Sequence, residues 1–362
     1  MDMFRRNFLS KDHSYYNDTS LLLDHGTPQD GVNYVPPVLY SLFGERFENM
    51  VKIDWPNPYQ VPYYFNIYGP IGVNGIFCIE DNGRVGSIGQ SRSAKELGRV
   101  VLWNPATDEC KVIPPSPFAF ESPYWDPLIN FHGFGYDQVS NDYKVVRHIT
   151  FFPETDDDYE NYEETWKDGY HDSMWEIYCV KSNRWNKLDL DMPMKYLNNC
   201  VGVLVYTDGV CHWWGKDTSE IGDEVYLVSF DLNNETFVKT SMPSNMDDID
   251  SEVVYRHLSM LNGSIGFITN YAETGTFHIS ILGEVGITES WIKLFVVSLG
   301  PCVYHPIGNG KKGDMFFRRK DNELVWFNLN THEIKELGLK GDYSCQILIY
   351  KESFLPLDRI SN

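Results

Sequence analysis

Residues 308–313 read GNGKKG, with Gly308, Gly310 and Gly313 at the spacing of a dinucleotide fingerprint. That chemistry needs a strand before the glycines and a helix after them, so that a helix N-terminus faces the pyrophosphate. The residues that follow, DMFFRRKDNELVWF, instead alternate as two strands joined by Lys320, Asp321 and Asn322, so the glycines read as a turn. The ten histidines are dispersed, and Cys211-His212 and His257 stand in strand-like contexts where a packed, hydrogen-bonded role is expected. No nucleophile elbow, zinc-protease helix or phosphate-binding loop is present, so no catalytic residue is assigned. Seven cysteines form no C-x-x-C pair and no zinc spacing, and read as reduced thiols in a cytoplasmic or nuclear protein. No metal or cofactor is expected.

The residues whose pattern does suggest chemistry are acidic and aromatic. Asp156, Asp157, Asp158, Glu160, Glu163 and Glu164 fall within nine positions, interleaved with Tyr159 and Tyr162 and followed by Trp166. Two readings stand. The charges could serve solubility on a solvated loop. Alternatively, the aromatics are contact anchors and the carboxylates steer a basic partner and speed its encounter. A second cluster, Asp247, Asp248, Asp250 and Glu252, lies at a comparable point of a later unit. With 51 acidic against 30 basic residues the net charge is -21, which disfavours nucleic acid and anionic membrane and favours a basic protein target.

The elements that must carry these loops are strands. Aromatics make up 15% of the chain and suit pleated surfaces. Gly98 to Pro117 (GRVVLWNPATDECKVIPPSP) reads as a hairpin whose turn is built by Asn104, Pro105, Thr107 and Asp108. Variants of it recur. Cys110, Trp185, Phe237, Trp291 and Ile334 occupy equivalent sites, and in four cases an aromatic (Trp103, Tyr178, Phe230, Phe327) stands seven residues earlier. Trp291 departs from the spacing because its turn is longer, running through Gly283 and Gly286.

Spacings between the equivalent sites are 75, 52, 54 and 43 residues, which is the scale of four-stranded propeller blades. The long first interval holds the acidic insertion at 154–169. Five blades are complete, whereas residues 20–53 hold strands without a blade and CQILIY (345–350) lacks an outer hairpin. The expectation is therefore an all-β, kelch-like β-propeller of about six four-stranded blades, its ring closed by pairing N- and C-terminal strands, which removes exposed edges. Residues 1–19 are expected to be a frayed lead-in, 20–357 one domain, and 358–362 a tail. A reading of a different class, a propeller enzyme or sugar-binding protein, would use a central channel lined by residues such as His212, Trp213 and Trp214.

GPIGVNGIFCIED, VVLWNPATDECKVIPPSPF, FGYDQVSNDYKVVR, WEIYCVKSNRWNKL, GVCHWWG, SFDLNNETF, ESWIKL and the closing IYKESFLPL together resemble the F-box-associated domain of plant F-box proteins, most nearly the S-locus type of pollen. The resemblance implies a substrate-recognition module of a cullin-RING ubiquitin ligase, with a basic pistil ribonuclease (S-ribonuclease class) as target in self-incompatibility. In that family a leucine-rich helical F-box precedes the domain and docks on Skp1. Here it is missing ahead of FRRNFLSKDHSYYNDTS, which puts adaptor binding in doubt.

Overall fold

The computed structural model describes residues 5, 7–8, 19–26, 37–44, 47–56, 65–68, 73–81, 99–120, 125–153, 173–192, 204–219, 222–242, 254–271, 274–300, 302–311, 313–354 and 357. They form six four-stranded antiparallel sheets arranged as propeller blades. Blade 1 is made of β24 (Gln346–Lys351), β1 (Thr19–His25), β2 (Val38–Phe43) and β3 (Asn49–Ile53), in that order from the inside. Blade 2 holds β4 (Phe65–Tyr68), β5 (Phe77–Asp81), β6 (Arg99–Asn104) and β7 (Glu109–Val112). Blade 3 holds β8 (Trp125–Asp137), β9 (Asp142–Pro153), β10 (Ser173–Cys179) and β11 (Arg184–Leu188). Blade 4 holds β12 (Val205–Thr207), β13 (Val210–Ser219), β14 (Gly222–Asp231) and β15 (Thr236–Ser241). Blade 5 holds β16 (Val254–Leu261), β17 (Ser264–Tyr271), β18 (Thr276–Leu282) and β19 (Trp291–Ser298). Blade 6 holds β20 (Val303–Asn309), β21 (Asp314–Arg319), β22 (Glu323–Asn328) and β23 (Ile334–Lys340).

The ring closes as expected, through the innermost strand from the C-terminus and three outer strands from the N-terminus. β24 pairs with β1 from Thr19 against Lys351 to Asp24 against Gln346. This seam is the one place where neighbouring strands of a blade have no covalent turn between them.

The equivalent sites are cross-strand pairs. Trp103 opposes Cys110, Tyr178 opposes Trp185, Phe230 opposes Phe237 and Phe327 opposes Ile334. The seven-residue spacing follows from one turn geometry. Two residues before each partner, Asp108, Asn183, Glu235 and His332 take φ near +55°, from 52° to 59°. At the turn's entrance, the side-chain oxygens of Asn104, Asp231 and Asn328 accept backbone N–H groups two or three residues on. Leu282 opposes Trp291 instead, because the longer turn is closed by Gly283 N–H donating to the Ser290 carbonyl at 3.0 Å. GNGKKG is a turn between β20 and β21, with no helix after it.

The aromatic residues explain how the blades cohere. Each interface between blades holds an aromatic pair: Phe77–Tyr350, Tyr68–Phe131, Trp175–Trp213, Trp214–Trp291, Phe277–Phe317 and Phe47–Phe316, with ring centroids 3.9 to 6.5 Å apart. Such pairs contribute about 0.5–1.5 kcal/mol beyond the area they bury. Gly135 marks one close approach, since a Cβ there would overlap the Tyr206 ring of the next blade.

Candidate interaction surface

Alternating strand direction gives the ring two unlike faces. One is built by the turns between first and second strands and between third and fourth. There Lys181 N–H donates to Asp142 Oδ1 at 2.8 Å, Tyr206 Oη donates to the Tyr136 carbonyl, and Lys144 Nζ reaches the Leu232 carbonyl at 2.7 Å. The other face holds the links between second and third strands and between blades. Its contacts are Leu299 N–H to the Gly275 carbonyl, Gly341 N–H to that of Asn322, Lys320 N–H to that of Cys302 and Asp342 N–H to that of Gly26.

Both chain ends are pinned to the first, turn face. Asn262 Nδ2 donates to the Phe8 carbonyl, and Arg5 lies 5.8 Å over the Phe295 ring. Lys311 Nζ donates to the Thr19 carbonyl at 2.6 Å. At the other terminus Asn104 Nδ2 donates to the Ser353 carbonyl and Leu357 N–H to Glu109 Oε2, both at 2.8 Å.

All thirteen candidate contact residues, Asp156 to Trp166 and Asp247 to Glu252, lie outside the described residues. Their points of attachment do not. The chain leaves β9 at Pro153 and re-enters β10 at Ser173, and it leaves β15 at Ser241 and re-enters β16 at Val254. A second-to-third-strand link and a blade-to-blade link both belong to the loop face, so the two acidic segments are attached to the same side of the ring. Residues 154–172 contain nine acidic residues and one lysine, and 243–253 contain four acidic residues and no basic one. Together they carry more than half of the net charge of -21.

The stem that carries the larger segment is fastened by ions. Arg147 on β9 directly opposes Glu176 on β10, with Nε 3.0 Å from Oε1, and both side chains are buried. Ser116 Oγ donates to the other Glu176 oxygen. The guanidinium sits 3.8 Å over Trp185, whose Nε1 donates to the Pro114 carbonyl at 2.8 Å. The PPSP segment after the opening hairpin is thereby bound onto blade 3. A second ionic group, Lys144 with Asp137 at 3.0 Å and Glu235 at 2.9 Å, joins blades 3 and 4 on the turn face. Sequence reasoning passed over both. A charged residue inside an apolar strand, as in KVVRHIT or MWEIYC, is the signal that pointed to them.

The channel reading is corrected. His212, Trp213 and Trp214 do not line an opening; all three are buried between blades. His212 Nδ1 meets Ser229 Oγ at 2.8 Å, and burial pushes its ring down to about 3. Trp213 packs toward blade 3 and Trp214 toward blade 5, because strand alternation aims successive side chains at opposite neighbours. Among the described residues, no group of three or more His, Cys, Asp or Glu could hold a metal ion, and no helix is long and apolar enough to cross a membrane.

Residues 92–353 match the family model of the F-box associated beta propeller domain. F-box protein CPR1 of Arabidopsis thaliana is 24% identical over 291 residues, covering 73% of this chain and 65% of that protein. A putative F-box protein of the same plant is 27% identical over 67% of this chain and 58% of its own length. The chain thus spans less than two thirds of these relatives. An oligogalacturonate lyase in complex with manganese aligns over 90% of this chain and 81% of its own, with 12% identity and a TM-score of 0.44, a likeness too weak to bear on activity. The matched family model, covering most of the blades just described, places the chain in the F-box associated beta propeller domain family.

Proposed function

We propose that this propeller is a non-catalytic target-recognition module that binds a basic protein on its loop face. The observation that carries the reading is the sidedness of the ring: the two acidic segments are attached to one face, and both chain ends are tied to the other. In this arrangement a module joined at either end leaves the acidic face clear. Asp156, Asp157, Asp158, Glu160, Glu163 and Glu164 supply a field that steers the partner, with Asp247, Asp248, Asp250 and Glu252 adding to it. Tyr159, Tyr162 and Trp166 supply the apolar anchors on which affinity rests, since aromatic hot spots outweigh rim charges.

The kinship with F-box proteins supports substrate selection for a ubiquitin ligase as the setting, and the S-locus resemblance supports a basic ribonuclease of the S class as the target. Binding of such a ribonuclease to this chain, measured beside the same ribonuclease with acetylated lysines, tests the reading. Saturable binding to the unmodified enzyme and at least tenfold weaker binding to the acetylated one are expected. Equal binding to both, or to neither, overturns it.

A further inference from the structure

The ring is held shut at its one non-covalent seam by β24 against β1, and the loop-face end of that seam contains a buried carboxylate. Asp24 on β1 is 5% exposed and directly opposes Gln346 on β24. Among the described residues its carboxylate receives a single hydrogen bond, from Gln346 Nε2 to Oδ2 at 3.2 Å, and Oδ1 has none.

Nothing cationic compensates it. From the link between blades 6 and 1 comes a second acid, Asp342, whose Oδ1 accepts Ser344 N–H and Oγ. From β24 comes the Cys345 thiol, which donates to the Gly26 carbonyl and which burial holds protonated. Beside Asp24 on β1, the His25 ring donates to the Lys340 carbonyl and meets Tyr40 of β2 edge-on. On β2 the residue opposite Asp24 is Leu39, and from blade 2 only the Ile67 carbonyl approaches, 3.5 Å from Gln346 Nε2.

We propose that this end of the seam is a protonation-controlled clasp, closed when Asp24 is neutral and loosened when Asp24 is ionised. A neutral carboxyl is buried there at small cost, with its proton on Oδ1, whereas an ionised one lacks the donors that burial of charge requires. Burial, with Asp342 adding to it, raises Asp24 to about 7, so the change falls in the neutral range. The free carboxylic acid of an open strand ionises near 4, so opening becomes easier as pH rises between these values. Because Asp24 stands next to the loop face, the clasp governs how firmly that face is framed between blades 1 and 2.

Hydrogen exchange of the intact chain, read on peptides covering β1 and β24 and corrected for the intrinsic pH dependence of exchange, tests the proposal. Opening of the seam is expected to be about tenfold more favourable at pH 8 than at pH 6, while the β16–β17 hairpin shows no such change. In Asp24→Asn the pH effect is expected to vanish. In Asp342→Asn, which leaves Asp24 in place, its midpoint is expected to move to lower pH. Equal protection of the wild-type seam at both pH values overturns the proposal, as does a pH effect that persists without Asp24.

Discussion

Arg147 and Glu176 face each other across β9 and β10, fully enclosed, at the base of the hairpin from which the acidic segment springs. The pair illustrates how this propeller tolerates charge in its interior. Each ion is saturated, Glu176 by Arg147 and Ser116, and Arg147 by Glu176 and the face of Trp185.

Removing one partner leaves the other buried and uncompensated. Arg147→Met or Glu176→Met is expected to cost about 3–5 kcal/mol in denaturant unfolding, whereas the double substitution is expected to recover most of the loss. Losses in the double variant equal to the sum of the singles would show that the two residues do not act as a pair.

Gly135 is required by its neighbour rather than by its own backbone. Gly135→Ala drives a methyl group into the Tyr206 ring and is expected to cost about 1–3 kcal/mol, the usual penalty of overpacking. Gly135→Ala combined with Tyr206→Leu is expected to regain part of it. A thermally silent Gly135→Ala would contradict the contact between blades 3 and 4.

Acid sensitivity follows from the buried histidines. Burial holds His148 down to about 4, and His212 and His305 down to about 3, while an unfolded histidine takes up its proton near 6.5. The unfolded chain therefore binds more protons below that pH, so these residues favour the fold fully above 6.5 and lose that contribution as pH falls toward 4. The effect is roughly 3 kcal/mol per histidine by pH 4. Asp24 has the opposite sign, because its raised value withdraws stability as pH rises from about 4 to 7. Unfolding midpoints from pH 4 to 8 should fall steeply on the acid side, and His212→Gln should flatten that limb. A limb unchanged in His212→Gln would contradict the assignment.

Much of the architecture is local and was therefore readable in the sequence. Trp103 and Cys110, or Tyr178 and Trp185, are seven apart because one turn geometry spaces them so, and turn chemistry is written in adjacent residues such as Asn104 or Asn183. Closure by the termini followed from strands left over at both ends. Long-range pairings were less legible. Arg147 and Glu176 are 29 positions apart with the acidic insertion between them, so no local pattern couples them. His212 was ambiguous for a different reason: alternation shows that successive residues point oppositely, but not that both sides are covered by other blades. That the two acidic segments belong to one face depends on strand direction around the whole ring.

The most direct test of the account is a footprint of the propeller in complex with a basic S-class ribonuclease, read by hydrogen exchange and lysine-to-carboxylate cross-linking on the same sample. Cross-links from 154–172 and 243–253, with protection at the adjoining strand ends around Ser173 and Val254, are the expected result. Cross-links and protection confined to the turn face, around 137–142 and 231–236, would contradict it.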